Sequence, residues 1–146
     1  MENERGNSEI TRFEEILRQN NDLWRVLKNA ALLKMPNYYL AAGCVSQTVW
    51  NAQHGYDLSH GINDYDLIYY DSGNIASEGQ NFYIEKGKEL FKDISMTVEI
   101  VNQARVHLWF EDRFRFQIKQ YVSSEDAIDS WAAAASCIGV RLEDKN

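Results

Sequence analysis

A chain of 146 residues is long enough to bury a real core and is expected to form one domain over 1–146. With 45% hydrophobic and 12% aromatic residues it reads as globular rather than disordered. A formal charge of −7 argues against non-specific nucleic-acid binding and against attraction to an anionic membrane, but leaves room for a metal that supplies positive charge to a phosphate ligand.

Met1 to Asn7 is polar and reads as a frayed end. Ser8 then looks like an N-cap, and Ile10, Phe13, Ile16 and Leu17 fall at helical spacing through Gln19. Asn20-Asn21-Asp22 breaks this helix and caps a second, whose apolar set runs from Leu23 to Leu33 until Met35-Pro36-Asn37 stops it. Residues 1–36 are thus expected as a helical hairpin serving as scaffold, and 37–142 as the functional core.

Tyr38 to Ala42 reads as a short buried strand running into Gly43-Cys44-Val45-Ser46, with a helix over 47–53. A strand, a Gly and a small residue before a helix present backbone N–H groups to an anion. Gly43 permits close backbone approach and Ser46 offers a hydroxyl; an ordinary turn is the alternative. His54 and His60 have neither helical-pair nor zinc-finger spacing and read as solvated loop residues. Cys44 and Cys137 lack CxxC partners, so zinc is not expected; with no apolar leader and no run near twenty apolar residues, neither is a membrane span, and the cytoplasm is the expected location.

Gly61-Ile62-Asn63 marks a turn, and Asp64 to Tyr70 reads as a strand. Side chains alternate along a strand, so Asp64 and Asp66 point the same way. Two parallel carboxylates repel, and a hard divalent ion such as Mg²⁺ or Mn²⁺ resolves that; a solvated strand end is the plainer alternative. A Ser/Gly/Asn-rich loop over 71–79 leads to a helix over 80–91 and a third strand over 94–101. Glu99 interrupts that otherwise apolar or β-branched strand, either as a solvated acid on an edge or as a third carboxylate beside the pair. A helix is expected from Ala104 to about Phe114; Arg105 at its start could meet a phosphate or form an ion pair. The pattern leaves the roles of Asn102, Gln103 and His107 open. Ser123-Ser124-Glu125-Asp126 caps a further helix burying Ala127, Ile128, Trp131 and Ala135, and 137–142 is a last short strand.

This order resembles the nucleotidyltransferases related to DNA polymerase β: strand, Gly corner, helix, strand with Asp-x-Asp, helix, strand with a lone acid. The words Ala-Gly-Cys-Val-Ser-Gln-Thr-Val-Trp-Asn (42–51), Asn-Asp-Tyr-Asp-Leu-Ile-Tyr-Tyr-Asp (63–71), Val-Glu-Ile-Val-Asn-Gln-Ala-Arg-Val-His-Leu-Trp-Phe (98–110) and Ile-Gly-Val-Arg (138–141) are similar to one largely bacterial branch of it. The resemblance, over about Tyr38 to Leu142, implies an α/β (α+β) fold with a central mixed sheet flanked by helices. It implies transfer of a nucleoside monophosphate from a nucleoside triphosphate to an acceptor hydroxyl, with Mg²⁺ or Mn²⁺ held by Asp64, Asp66 and Glu99. Glu99 would serve the acceptor, while Gly43, Cys44, Ser46 and Arg105 would serve the nucleotide. Cys44 stands where the superfamily usually has Gly or Ser, and Arg115 where this branch is expected to have Gly. A catalytically degenerate nucleotide-binding or protein-interaction module on the same fold is the alternative function, and a phosphohydrolase of another fold a distant third.

Overall fold

The computed structural model describes residues 2–115, 117–131 and 136–143. In chain order these form α1 (Glu2–Gln19), α2 (Asn21–Leu33), β1 (Tyr39–Ala41), α3 (Gly43–His54), β2 (Asp64–Tyr69), α4 (Ser77–Leu90), β3 (Thr97–Asn102), a 3₁₀ turn over Gln103–Arg105, α5 (Val106–Phe114), α6 (Ser124–Ser130) and β4 (Gly139–Val140). The four strands make one mixed sheet in the order β3-β2-β1-β4. β1 runs antiparallel to both β2 and β4, and β2 pairs parallel with β3.

The two sheet faces have different chemistry, as the period of two along each strand requires. Leu40, Tyr65, Leu67, Tyr69 and Ile100 point into the main core, where Leu23, Val26, Leu27 and Ala30 of α2 meet them. The opposite face presents Tyr39, Ala41, Asp64, Asp66, Ile68 and Glu99; Ile128 of α6 packs against Ala41 and Ile68. The apolar spacing of α2 explains its inward stripe. Its ends are set by Asn20, whose side chain accepts from the Leu23 N–H, and by Lys34 in the left-handed conformation ahead of Pro36.

Several element boundaries differ from the sequence expectation. α1 begins at Glu2 instead of after Ser8, because Glu2, Glu4 and Arg5 are good helix formers and early acids suit a helix N-terminus. α3 begins at Gly43, so the expected loop 43–46 is the helix's own first turn. α6 ends at Ser130, with Trp131 as its extended C-cap; Ala135 lies outside the described residues.

Candidate active site

β1 delivers the chain to a sharp corner. Ala42 has φ 66° and ψ −144°, a region that suits glycine, and its N–H donates to the Ile138 carbonyl at 2.9 Å. This strained residue turns β1 directly into α3, leaving Gly43 exposed at the helix N-terminus. A Cβ built on Gly43 meets nothing within 4 Å, and Gly43 has no positive φ. Neither packing nor backbone conformation in the free chain requires glycine there; open space above the backbone is what it provides.

β2 begins after the Gly61 turn (φ 75°). Register pairs Ala41 with Asp66 across the antiparallel side, and Asp66 with Glu99 across the parallel side. Asp64, Asp66 and Glu99 therefore converge on one face, each offering an oxygen within 4.8 Å of the others. Asp64 and Glu99 are exposed and Asp66 is half-buried. Burial raises the Asp66 carboxyl first, the neighbouring Asp64 and Glu99 charges and a hydrogen bond with Glu99 add to it, and the result is a value of about 7. The set is all carboxylate oxygen, which fits a hard divalent ion and not a thiophilic one. It is the group of three or more possible ligands found among the described residues.

Cys44 lies beneath this cluster. Its side chain is buried and Sγ donates to the Ala41 carbonyl at 3.4 Å. Burial, helped by the Asp66 and Asp64 charges, pushes the thiol up to about 12, so it stays protonated. Ser46 sits one turn into α3 with its hydroxyl donating to the Gly43 carbonyl at 3.3 Å. Arg105 is not brought to the acids: its Nε donates to the Ile75 carbonyl at 2.6 Å, in the loop before α4. His54 and His60 are stacked with Trp50 and Tyr56 in an aromatic ladder, with ring centroids 4.0 Å (Trp50–His54) and 5.0 Å (Tyr56–His60) apart.

Two buried asparagine brackets position these parts. Asn51 donates from Nδ2 to the Leu58 and His60 carbonyls at 3.0 and 2.8 Å, and Asn20 donates to Thr48 Oγ1 at 3.0 Å and the Leu58 carbonyl at 3.3 Å. Thr48 in turn donates to the Cys44 carbonyl at 2.7 Å. The first turn of α3 is thereby tied to the loop that feeds Asp64. At the far end of β3, Asn102 accepts from the Asp71 and Ala104 N–H groups, both at 3.0 Å. Its Nδ2 donates to the Asp71 carbonyl at 3.1 Å. The sequence marked Asn20 only as part of a helix breaker and cap, and gave no signal for Thr48 and Asn51, because polar residues within helical stretches look like surface.

Next to the acids a groove of about 510 Å³ runs along the open face of the sheet, lined by Ile68, Val101, Gln103, Trp109, Tyr121 and Trp131 among others. Grooves elsewhere, beside Tyr69 and Phe82 or between α1 and residues 139–143, do not touch the acids. No helix among the described residues is long and apolar enough to cross a membrane.

Comparison with solved structures finds a CCA-adding enzyme head domain determined by NMR, with a TM-score of 0.71 and 25% identity. The alignment covers 90% of this chain and 66% of that one, so the chain spans just under two thirds of that structure's length. A comparison with curated proteins gives no match. Residues 28–146 match the nucleotidyltransferase family, from within α2 through the Gly43 corner, the paired aspartates and Glu99 to the end of the sequence. With the mixed sheet and the acids in this order, that match makes the chain a member of the nucleotidyltransferase family, on the polymerase-β-like fold.

Proposed function

We propose that the protein is a Mg²⁺- or Mn²⁺-dependent nucleotidyltransferase that moves a nucleoside monophosphate from a nucleoside triphosphate to an acceptor hydroxyl. The observation that carries this is the convergence of Asp64, Asp66 and Glu99, from two strands distant in sequence, within 4.8 Å. Three acids so close, one with its carboxyl pushed to about 7, have a charge that a divalent ion would balance.

Asp64 and Asp66 hold the nucleotide's side of the metal site and Glu99 the acceptor's side. A divalent ion bound there supplies neutralisation of the triphosphate's charge and lowers the pKa of the acceptor hydroxyl. The exposed Gly43 backbone at the N-terminus of α3 receives the leaving phosphates, aided by the helix dipole. Cys44 contributes through its backbone, since its thiol faces the interior. The acceptor oxygen forms a bond to the α-phosphorus while the bond from that phosphorus to the bridging oxygen breaks, releasing pyrophosphate. The hydroxyl proton passes to the Glu99 carboxylate.

Pyrophosphate release with each of four triphosphates, over a panel of acceptors, tests this. Glu99→Gln keeps shape and removes charge; nucleotide affinity should stay within a few-fold of wild type while release falls by roughly a hundredfold or more. Equal, slow release from both proteins would defeat the enzyme reading. Tight nucleotide binding without turnover in either would favour the degenerate binding module.

A further inference from the structure

The groove beside the acids has a composition that speaks to the acceptor. It opens onto Asp66 and Glu99 at one end and continues over Ile68 and Val101 on the same sheet face, between Trp109 of α5 and Tyr121 and Trp131 flanking α6. At about 510 Å³ it matches a site for a single small molecule. Asp66 and Glu99 are the only charged groups among the described residues lining it, and the lining includes no Lys, Arg or His.

Gln103 gives the groove a polar feature. It follows Glu99 and Val101 at alternate positions, is only 5% exposed, and lines the groove. No side-chain hydrogen bond of Gln103 is seen among the described residues, and its amide atoms are not among the fully buried unpaired ones, so the amide keeps access to the groove it lines. An accessible amide on a groove wall is free to pair with a ligand or with water.

We infer that this groove is the acceptor subsite, and that the acceptor is a small, phosphate-free, ring-bearing hydroxyl compound whose polar ring edge pairs with Gln103. The inference rests on the transferase reading and narrows it. Planar rings stack on indole and phenol faces, and the amide of Gln103 can both donate to and accept from a ring substituent. A nucleic-acid end would instead bring phosphates into a groove whose described lining offers no Lys, Arg or His to receive them. The acceptor's hydroxyl would lie at the Glu99 end, where the transfer takes place.

The probes are tyrosol, 2-phenylethanol, phenyl phosphate and a single-stranded RNA tetranucleotide, titrated into the full chain while ¹H–¹⁵N spectra report the four indoles. Tyrosol should shift Trp109 and Trp131, leave Trp24 and Trp50 in place, and saturate in the millimolar range. Phenyl phosphate and the tetranucleotide should bind at least tenfold more weakly. Gln103→Leu should weaken tyrosol about fivefold and leave 2-phenylethanol unchanged; Trp109→Ala should weaken both. With Mg²⁺ and triphosphate present, tyrosol should become nucleotidylated. Phosphate-bearing probes that bind as well as tyrosol, shifts at Trp24 or Trp50 instead, or no shift at all would overturn the assignment; these arms need only the wild-type protein. Groove binding without transfer to the bound compound, while other acceptors react, would overturn the acceptor role. Failure of the transferase reading looks different: Mg²⁺ leaves the Asp64, Asp66 and Glu99 resonances unmoved while the groove shifts persist, and the acceptor role falls with it.

Discussion

Replacing Asp66 with Asn separates the electrostatic cost of the acid cluster from its use. An acid that holds its proton more tightly folded than unfolded removes stability as pH rises between its two pKa values. For Asp66 the window runs from 3.8 to about 7: the penalty is absent below it and complete above it. Raising the carboxyl from 3.8 to about 7, at roughly 1.4 kcal/mol per tenfold in proton affinity, sets a ceiling of about 4 kcal/mol. The carboxyl is only half-buried, so solvent screening reduces this to roughly 1–2 kcal/mol. In a chain of this size that is a change of about 3–8 °C in Tm. Asp66→Asn keeps the shape and deletes the charge. In EDTA it should therefore melt above wild type at pH 8, with the gap closing toward pH 5. Millimolar Mg²⁺ should reverse the order, because an ion that binds only the folded wild type stabilises it by mass action and the variant loses a ligand. Thermal melts by circular dichroism across that pH range, with and without Mg²⁺, supply the measurement. A variant that melts at or below wild type at pH 8 in EDTA would show that the acids are relaxed in the solvent and the reasoning wrong.

Gly43→Ala meets no atom within 4 Å and favours helix, so stability should hold or rise slightly, while nucleotide affinity measured by calorimetry should fall at least tenfold if phosphates approach that backbone. Ala42→Gly and Arg115→Gly relieve positive φ values of 66° and 61°, and each should raise stability by about 0.5–1 kcal/mol in denaturant titrations. Asn102→Ala strips four contacts from a fully buried side chain and should cost about 3 kcal/mol by the same titration, whereas a surface Asn would cost almost nothing.

Much of this site was legible because strands impose a strict alternation. Asp64 and Asp66 had to share a face, and Glu99 was conspicuous as an acid in an apolar run. That the Glu99 strand would lie beside the aspartate strand was one of the two readings its sequence offered, and the sheet bears it out; the exact β2–β3 register that sets Glu99 opposite Asp66 was not legible. The Gly43 corner was found but misjudged as a loop, because Ala42 absorbs the whole turn in a conformation its side chain does not favour. Arg115, noted as a departure from an expected Gly, does occupy the left-handed end of α5, with its N–H bonded to Glu111 at 2.7 Å. Gln103 gave no signal at all; a glutamine after a strand has no periodic signature, and only the groove around it gives the residue meaning.

The pairing of Glu99 with Asp66 also works as a proofreader of the sheet. If β3 slid by one residue along β2, Val98 or Ile100 would turn out among the acids and Glu99 would turn inward, under α4 and against Ile84 and Phe91. Parallel partners separated by a whole helix are slow to find each other and have many near misses. A buried, unpaired carboxylate makes each odd-numbered near miss expensive. The residue proposed to serve chemistry would then act earlier, during folding, by rejecting sheets in which that chemistry has no site.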